Sequence, residues 1–325
     1  AAVSSMGYRL RDYVPIGKMI PGMAYLVRRL LENTSNESWL RMSFADGKDV
    51  DELLSEPQPP GGGSVEFEEP ERFDEPVTDH GFRNEPVRNF ARKPQRERFQ
   101  KAIDAVGGEL GKTYPIVIGG QEYTGDEVIE SRNPCRTDQV VGAAQRATVE
   151  HADEALKAAW SVRDRWAETP ADERAEYLFR IAELMRERRD ELSAWMIFEV
   201  GKTWREADAD VCEAIDFCEY YGREMIRLGE PKQLGDLPGE HNSMVYQPRG
   251  VATVIAPWNF PLAILTGMTT AAAVTGNTVA MKPAEQSPII AAKFMEIVRE
   301  AEVPPGVINY LPGYGEDVGQ HLVQS

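Results

Sequence analysis

The sequence predicts an α/β fold built on a parallel sheet, and three observations carry that prediction. An apolar run, Val251 to Ala256, has the length and β-branched content of a buried strand, and a second strand reads over Thr278 to Met281. A small-residue helix, Leu262 to Val274, lies between them and breaks at Gly276-Asn277, which makes the unit strand–helix–strand. Each strand also runs out into polar groups: the first into Pro257-Trp258-Asn259-Phe260-Pro261, the second into Lys282 and Glu285. Ligands bind open parallel sheets beyond the carboxyl ends of the strands, so a site belongs here. With helices and two strand pairs ahead of it, the unit reads as an α/β nucleotide-binding domain with an added hairpin.

Composition bounds the partners. The 325 residues suffice for two domains, and 42% hydrophobic residues permit a real core. A net charge of -17 argues against nucleic acid or an anionic membrane surface, both of which attract basic patches. No run approaches the roughly 18 apolar residues that span a bilayer. Three cysteines, Cys135, Cys212 and Cys218, are too few for a disulfide framework and point to a reducing, cytoplasmic compartment. Cys212 and Cys218 are expected to be buried structural thiols. The N-terminus has neither an initiator Met nor an apolar signal core, and reads as a cut end.

Along the chain, residues 1–45 form a first unit. Tyr8 to Val14 alternates as a strand, and Pro15-Ile16-Gly17 breaks it. Pro21 to Arg41 reads as a helix with Met23, Leu26, Val27, Leu30 and Leu31 on one face. One strand and one helix bury too little surface to stand alone. Residues 46–95 are acidic and proline-rich around Pro57 to Ser64, which predicts a linker. The third unit spans residues 96–325, with order returning near Arg98. Tyr114 to Ile118 with Gly119-Gly120 reads as a strand and turn, and Val128 to Ser131 as its partner. Thr148 caps a helix running to Trp166, and Thr169-Pro170-Ala171-Asp172 has the form of a cap, a first-position proline and a first-turn acid. Leu178, Ile181, Ala182 and Met185 then recur at helical spacing. A further helix near Glu206 to Leu228 presents Asp208 to Glu219 as a solvated acidic face. Asn242 to Tyr246 is a short strand. Pro288 to Ala301 is a helix, and Val307 to Leu311 the last strand.

The 251–285 block, PWNFP followed by KPAE at this spacing, closely resembles the aldehyde dehydrogenase superfamily. The resemblance covers about Tyr114 to Ser325 and implies a Rossmann-like NAD-binding domain. It implies that Asn259 donates its side-chain N–H to the oxyanion of the reacting aldehyde. It also implies that Ile255, Ala256, Pro257 and Trp258 line the cofactor, that Lys282 and Glu285 hold its adenosine ribose, and that the turn at Gly315 passes the adenine. A carboxylate facing that ribose favours NAD over NADP. From the residues alone, Asn259 reads equally well as a turn asparagine bonded to its own backbone. Lys282 and Glu285 read also as an ion pair, and Gly313 to Gly319 as a tight strand-to-helix turn. The superfamily's nucleophilic cysteine and general-base glutamate are expected further along than Ser325.

Three stretches narrow the substrate. Phe82 to Pro86, Glu199 to Asp210 and Ala214 to Tyr221 resemble the L-glutamate γ-semialdehyde (1-pyrroline-5-carboxylate) dehydrogenases. Tyr25 to Asn33 resembles the last helix of the proline dehydrogenase (β/α)8 barrel. By that resemblance Arg28 and Arg29 bind the substrate carboxylate, with Tyr13 and Tyr25 around its ring beside an FAD. From the dipeptide alone a solvated basic pair, with Arg28 bonded to Glu32, is the stronger reading. Together the two resemblances imply a bifunctional proline-utilisation protein, homo-oligomeric, acting on small-molecule substrates. The alternatives are a non-catalytic NAD-binding segment and a dehydrogenase for another aldehyde.

Overall fold

The computed structural model describes residues 81–235 and 238–325. Tyr13, Tyr25, Arg28 and Arg29, the strand and helix expected around them, and the expected linker up to residue 80 lie outside the described residues.

Residues 81–89 form no helix or strand, and the first helix, α1, spans Lys93–Gly107 with Pro94 in its opening turn, earlier than the expected return of order near Arg98. Strands β1 (Lys112–Tyr114), β2 (Ile116–Ile118) and β3 (Gln121–Tyr123) follow. The partner of β2 is β3, across Gly119-Gly120, not Val128 to Ser131. Both glycines have positive φ, 58° and 81°, as a two-residue hairpin turn requires. Val128–Arg132 (β4) pairs instead with an unanticipated strand, Val140–Gln145 (β5), which runs parallel to β1. Gly142 makes that approach possible, since a Cβ there would lie 3.0 Å from the Lys112 carbonyl oxygen.

Helix α2 (Val149–Glu168) opens on Thr148, whose side chain forms a capping box with His151. Helix α3 (Ala171–Glu187) starts differently from expectation. Pro170 itself occupies the cap position, and the Thr169 hydroxyl donates back to Arg165 O at 3.0 Å, closing α2. Helix α4 (Arg189–Val200) carried no periodic signal because it is buried nearly all round, at Leu192, Ser193, Ala194, Trp195 and Met196. Helix α5 (Trp204–Gly229) opens on a Thr203–Glu206 capping box and packs against α3. A two-stranded hairpin, β6 (Lys232–Gln233) and β7 (Ser243–Met244), comes next.

The remaining elements form the sheet that positions the site: β8 (Val251–Ile255), α6 (Ala263–Val274), β9 (Thr278–Lys282), α7 (Pro288–Glu300) and β10 (Ile308–Tyr310). The five-stranded order is β3-β2-β10-β9-β8, with β8, β9 and β10 mutually parallel. Strand β9 is buried at every residue and faces two cores. Val279 and Met281 enter the larger core with helices α3 to α7, while Ala280 enters a smaller one with Ala152 and Ala155 of α2. Among the described residues strand β8 pairs with β9, and of its side chains Val254 is buried while Ile255 is 38% exposed. A short π-helical turn, Gly315–Gly319, leads into α8 (Gln320–Gln324).

Glu199 locks α7 to the end of α4. Its buried carboxylate accepts the Ile289 and Ile290 N–H groups at 2.7 and 2.8 Å, two of the orphan amides of the α7 N-terminus. Burial pushes its carboxyl up from 4.5 to about 7, against those two bonds, which favour the ionised form. Its contribution to stability is then fully present below its unfolded value of 4.5 and lost as the pH rises through about 7. Glu199→Gln is expected to cost more stability at about pH 5 than at about pH 8 in urea unfolding. Equal costs at both would mean that Glu199 is ionised throughout.

Candidate active site at the strand ends

The carboxyl ends of β8, β9 and β10 lie side by side, and the predicted residues Asn259, Lys282, Glu285 and Gly315 all stand at or just beyond them. The turn after β8 is tied to β9 by the Ala256 N–H, which donates to Lys282 O at 3.2 Å. Pro257 through Phe260 are exposed, with Trp258 55% accessible. The turn enters α6 through the Ile264 N–H, which donates to Phe260 O. The Asn259 side-chain amide bonds to none of the described residues, so it is not spent on its own turn.

Lys282 is 2% exposed at the end of the central strand. Its Nζ donates to Pro283 O at 3.0 Å and lies 3.5 Å from Glu285 Oε2. Burial lowers the lysine pKa, and Glu285 opposes that shift. Burial acts to raise the Glu285 pKa, but a backbone amide and Lys282 outweigh it and hold the carboxyl below its usual value. The Lys282 stem runs past Gly319, where a Cβ would sit 3.4 Å from Lys282 Cε. At Gly315 a Cβ would meet nothing within 4 Å, so that side of the turn is open. Gly313 is required by packing, because its Cβ would fall 2.7 Å from Val318 Cγ2. Arg146 steadies this turn, bonding Asp317 at 2.6 Å and lying over the Tyr314 ring.

These residues fit a dinucleotide. An ammonium with three donors, one close partner and one distant one has donor capacity left for ribose hydroxyls. The neighbouring carboxylate can accept, and exposed Ile255 and Trp258 offer an apolar wall. The cysteines lack a nucleophile's setting. Burial pushes Cys212 up to about 12 and raises Cys218 further, while Cys135 is exposed. The expected burial of Cys212 and Cys218 holds. Among the described residues no group of His, Cys, Asp and Glu could hold a metal, and no helix is long and apolar enough to cross a membrane.

Sequence reasoning missed the ionic framework behind the site. Asp208 and Asp210, expected on a solvated face, are each 1% exposed. Asp208 takes both Arg189 Nε and Nη2 at 2.8 Å and the Arg88 N–H at 2.8 Å. Asp210 accepts the Ala263 N–H at 2.7 Å and pairs with Lys202. The signal was there: Asp208 shares its helical face with Val211, Cys212 and Ile215, all buried.

The fold and the strand-end residues fit the aldehyde dehydrogenase family. A model described as the aldehyde dehydrogenase family matches residues 121–325, and one described as proline dehydrogenase matches residues 1–42. The chain belongs to the aldehyde dehydrogenase family. It is 48% identical over 242 residues to 1-pyrroline-5-carboxylate dehydrogenase of Geobacillus kaustophilus, covering 74% of this chain and 47% of that protein. Among solved structures it is similar to proline utilization A from Bdellovibrio bacteriovorus inactivated by N-propargylglycine. That match has 49% identity and a TM-score of 0.76, and covers 99% of this chain and 33% of that one. It is also similar to a Thermus 1-pyrroline-5-carboxylate dehydrogenase with bound NAD, at 45% identity and a TM-score of 0.74, covering 75% of this chain and 48% of that one. The chain spans about half the length of the curated relatives it matches.

Proposed function

We propose that this chain is part of an enzyme that oxidises L-glutamate γ-semialdehyde to glutamate with NAD and also oxidises proline with FAD. The observation that carries the reading is the pairing on one chain of a proline dehydrogenase match at residues 1–42 and an aldehyde dehydrogenase match at 121–325. Oxidised proline is pyrroline-5-carboxylate, whose hydrolysis yields the semialdehyde, so the first activity supplies the second. Bound NAD would accept the hydride. Asn259 donates to the oxyanion, Lys282 and Glu285 hold the adenosine ribose, and Ile255 to Trp258 with Gly315 line the cofactor. Arg28 and Arg29 hold the proline carboxylate, with Tyr13 and Tyr25 beside the ring. The test is NADH formation by the full-length protein with NAD, proline and an added electron acceptor that reoxidises the reduced FAD, and separately with the semialdehyde supplied directly. An enzyme that prefers simple aliphatic aldehydes and ignores proline would overturn the assignment.

Two substitutions examine its halves. Arg28→Met or Arg29→Met is expected to raise KM for proline tenfold or more, since a charge-assisted contact is worth roughly 1.5–3 kcal/mol. Semialdehyde oxidation is expected to be untouched, and intact proline kinetics in both variants would return the pair to a solvated helix face. Glu285→Ser is expected to narrow the preference for NAD over NADP, mainly through KM, because the carboxylate no longer repels a 2′-phosphate. An unmoved preference would remove Glu285 from the ribose.

A further inference from the structure

Lys202 and Asp210 sit behind the Asn259 turn without touching the strand ends. Lys202 lies on the three-residue link between α4 and α5, and both sides of that link are fixed. Gly201 closes α4 in the left-handed region, φ 68°, with its N–H on Ile197 O. Thr203 opens α5 through its capping box with Glu206. From this anchored position Lys202 Nζ lies 2.8 Å from Asp210 Oδ2 and 4.4 Å from the centroid of the Phe260 ring. Asp210 Oδ1 accepts the N–H of Ala263, the first residue of α6.

The pair therefore grips the chain at Phe260, one residue after Asn259, and again at Ala263. On the other side the Ala256 N–H fastens the turn to β9. Asn259 lies between these fastenings with no bond of its own to any described residue. The side chains of Lys202 and Asp210 are 11% and 0% exposed. Buried ion pairs add little net stability over apolar replacements, so stability alone does not account for one here.

We propose that Lys202 and Asp210 are the positioning pair of Asn259, holding the turn so that its amide points to where negative charge develops. This rests on the reading of Asn259 as the oxyanion donor. In the full-length enzyme, Lys202→Met is expected to lower kcat roughly tenfold to a hundredfold, the loss that a misplacement of about 1 Å produces. KM for NAD is expected to stay within about twofold, and Lys202→Arg to recover most of the rate, since the charge is kept. In an Asn259→Ala background, Lys202→Met is expected to have no further effect on kcat. A full additional loss there would show that Lys202 acts elsewhere and overturn the proposal. Amide exchange in the full-length enzyme reads the same clamp without catalysis. Lys202→Met is expected to speed exchange from Trp258 to Ala263 while β9 and β10 keep their protection. Unchanged exchange in the turn, or loss of protection throughout the sheet, would also overturn it. If Asn259→Ala leaves kcat unchanged, the oxyanion reading fails, and the exchange experiment then decides the clamp alone.

Discussion

Replacing Asn259 with alanine in the full-length enzyme is expected to lower kcat by about 10²–10³, the typical effect of removing one oxyanion donor. KM for NAD is expected to change little, because the proposed ribose contacts are Lys282 and Glu285, not Asn259. The expectation rests on three features of the turn. Proline on each side of Trp258-Asn259-Phe260 fixes φ at both ends. The Asn259 amide is exposed at the strand ends and bonds to no described residue. The chain on either side is fastened by Ala256, Phe260 and Ala263. A donor held in place before charge develops costs no reorganisation when the charge appears, which is why losing it acts on kcat more than on binding. Steady-state kinetics with saturating semialdehyde checks this. An unchanged kcat, or a loss confined to KM for NAD, would reduce Asn259 to a residue that shapes a turn.

The sequence made the strand–helix–strand unit legible because its signals are local. The runs at Val251 and Thr278 are apolar, the helix between them is built of small residues, and glycine with asparagine marks the break. The structure keeps those elements within a residue or two. What local pattern does not carry is sheet order. Strands β2 and β10 are neighbours although nearly 190 residues separate them, because pairing partners are set by the whole chain. The hairpin was misassigned although its turn was visible: Gly119-Gly120 joins two runs at the two-residue spacing that favours β2 with β3. Charge was misread for a similar reason. Asp208 and Asp210 look solvated in a stretch rich in acids, and their burial depends on Arg189, Arg88 and Lys202, brought in from other elements. The strand-end candidates are legible because a motif names them. Behind them, the burial of Asp208 is signalled by the apolar residues on its helical face, but its basic partners are not, because they come from other elements.

Asp208 gives the largest expected effect on stability. Asp208→Ala is expected to destabilise the fold by about 3–5 kcal/mol, the cost of stripping one partner from a buried pair. Arg189 is nearly as buried as Asp208, with side chains 7% and 1% exposed. Burial alone would lower the Arg189 pKa, and the Asp208 bond reverses that and holds the guanidinium charged. Without Asp208 that charge keeps only Glu85 at 3.4 Å and the carbonyl of Pro86 at 3.0 Å. Arg88 loses a bond to its backbone N–H and a carboxylate near its Nε. Glu85 and Arg88 belong to the segment before α1, so the damage is expected to spread there. Glu85 also bonds Arg186, and its backbone N–H reaches Asp216 on α5 at 2.6 Å, which leaves the segment partly tied. Limited proteolysis of the 325-residue chain is therefore expected to cut between Gly81 and Arg92 faster in Asp208→Ala, alongside a lower urea midpoint. Asp208→Asn, which keeps two acceptor lone pairs and loses the charge, is expected to fall between the two. If Asp208→Ala unfolded at the wild-type midpoint, the Arg189 charge would have to find water, and the network would be a surface feature rather than part of the core.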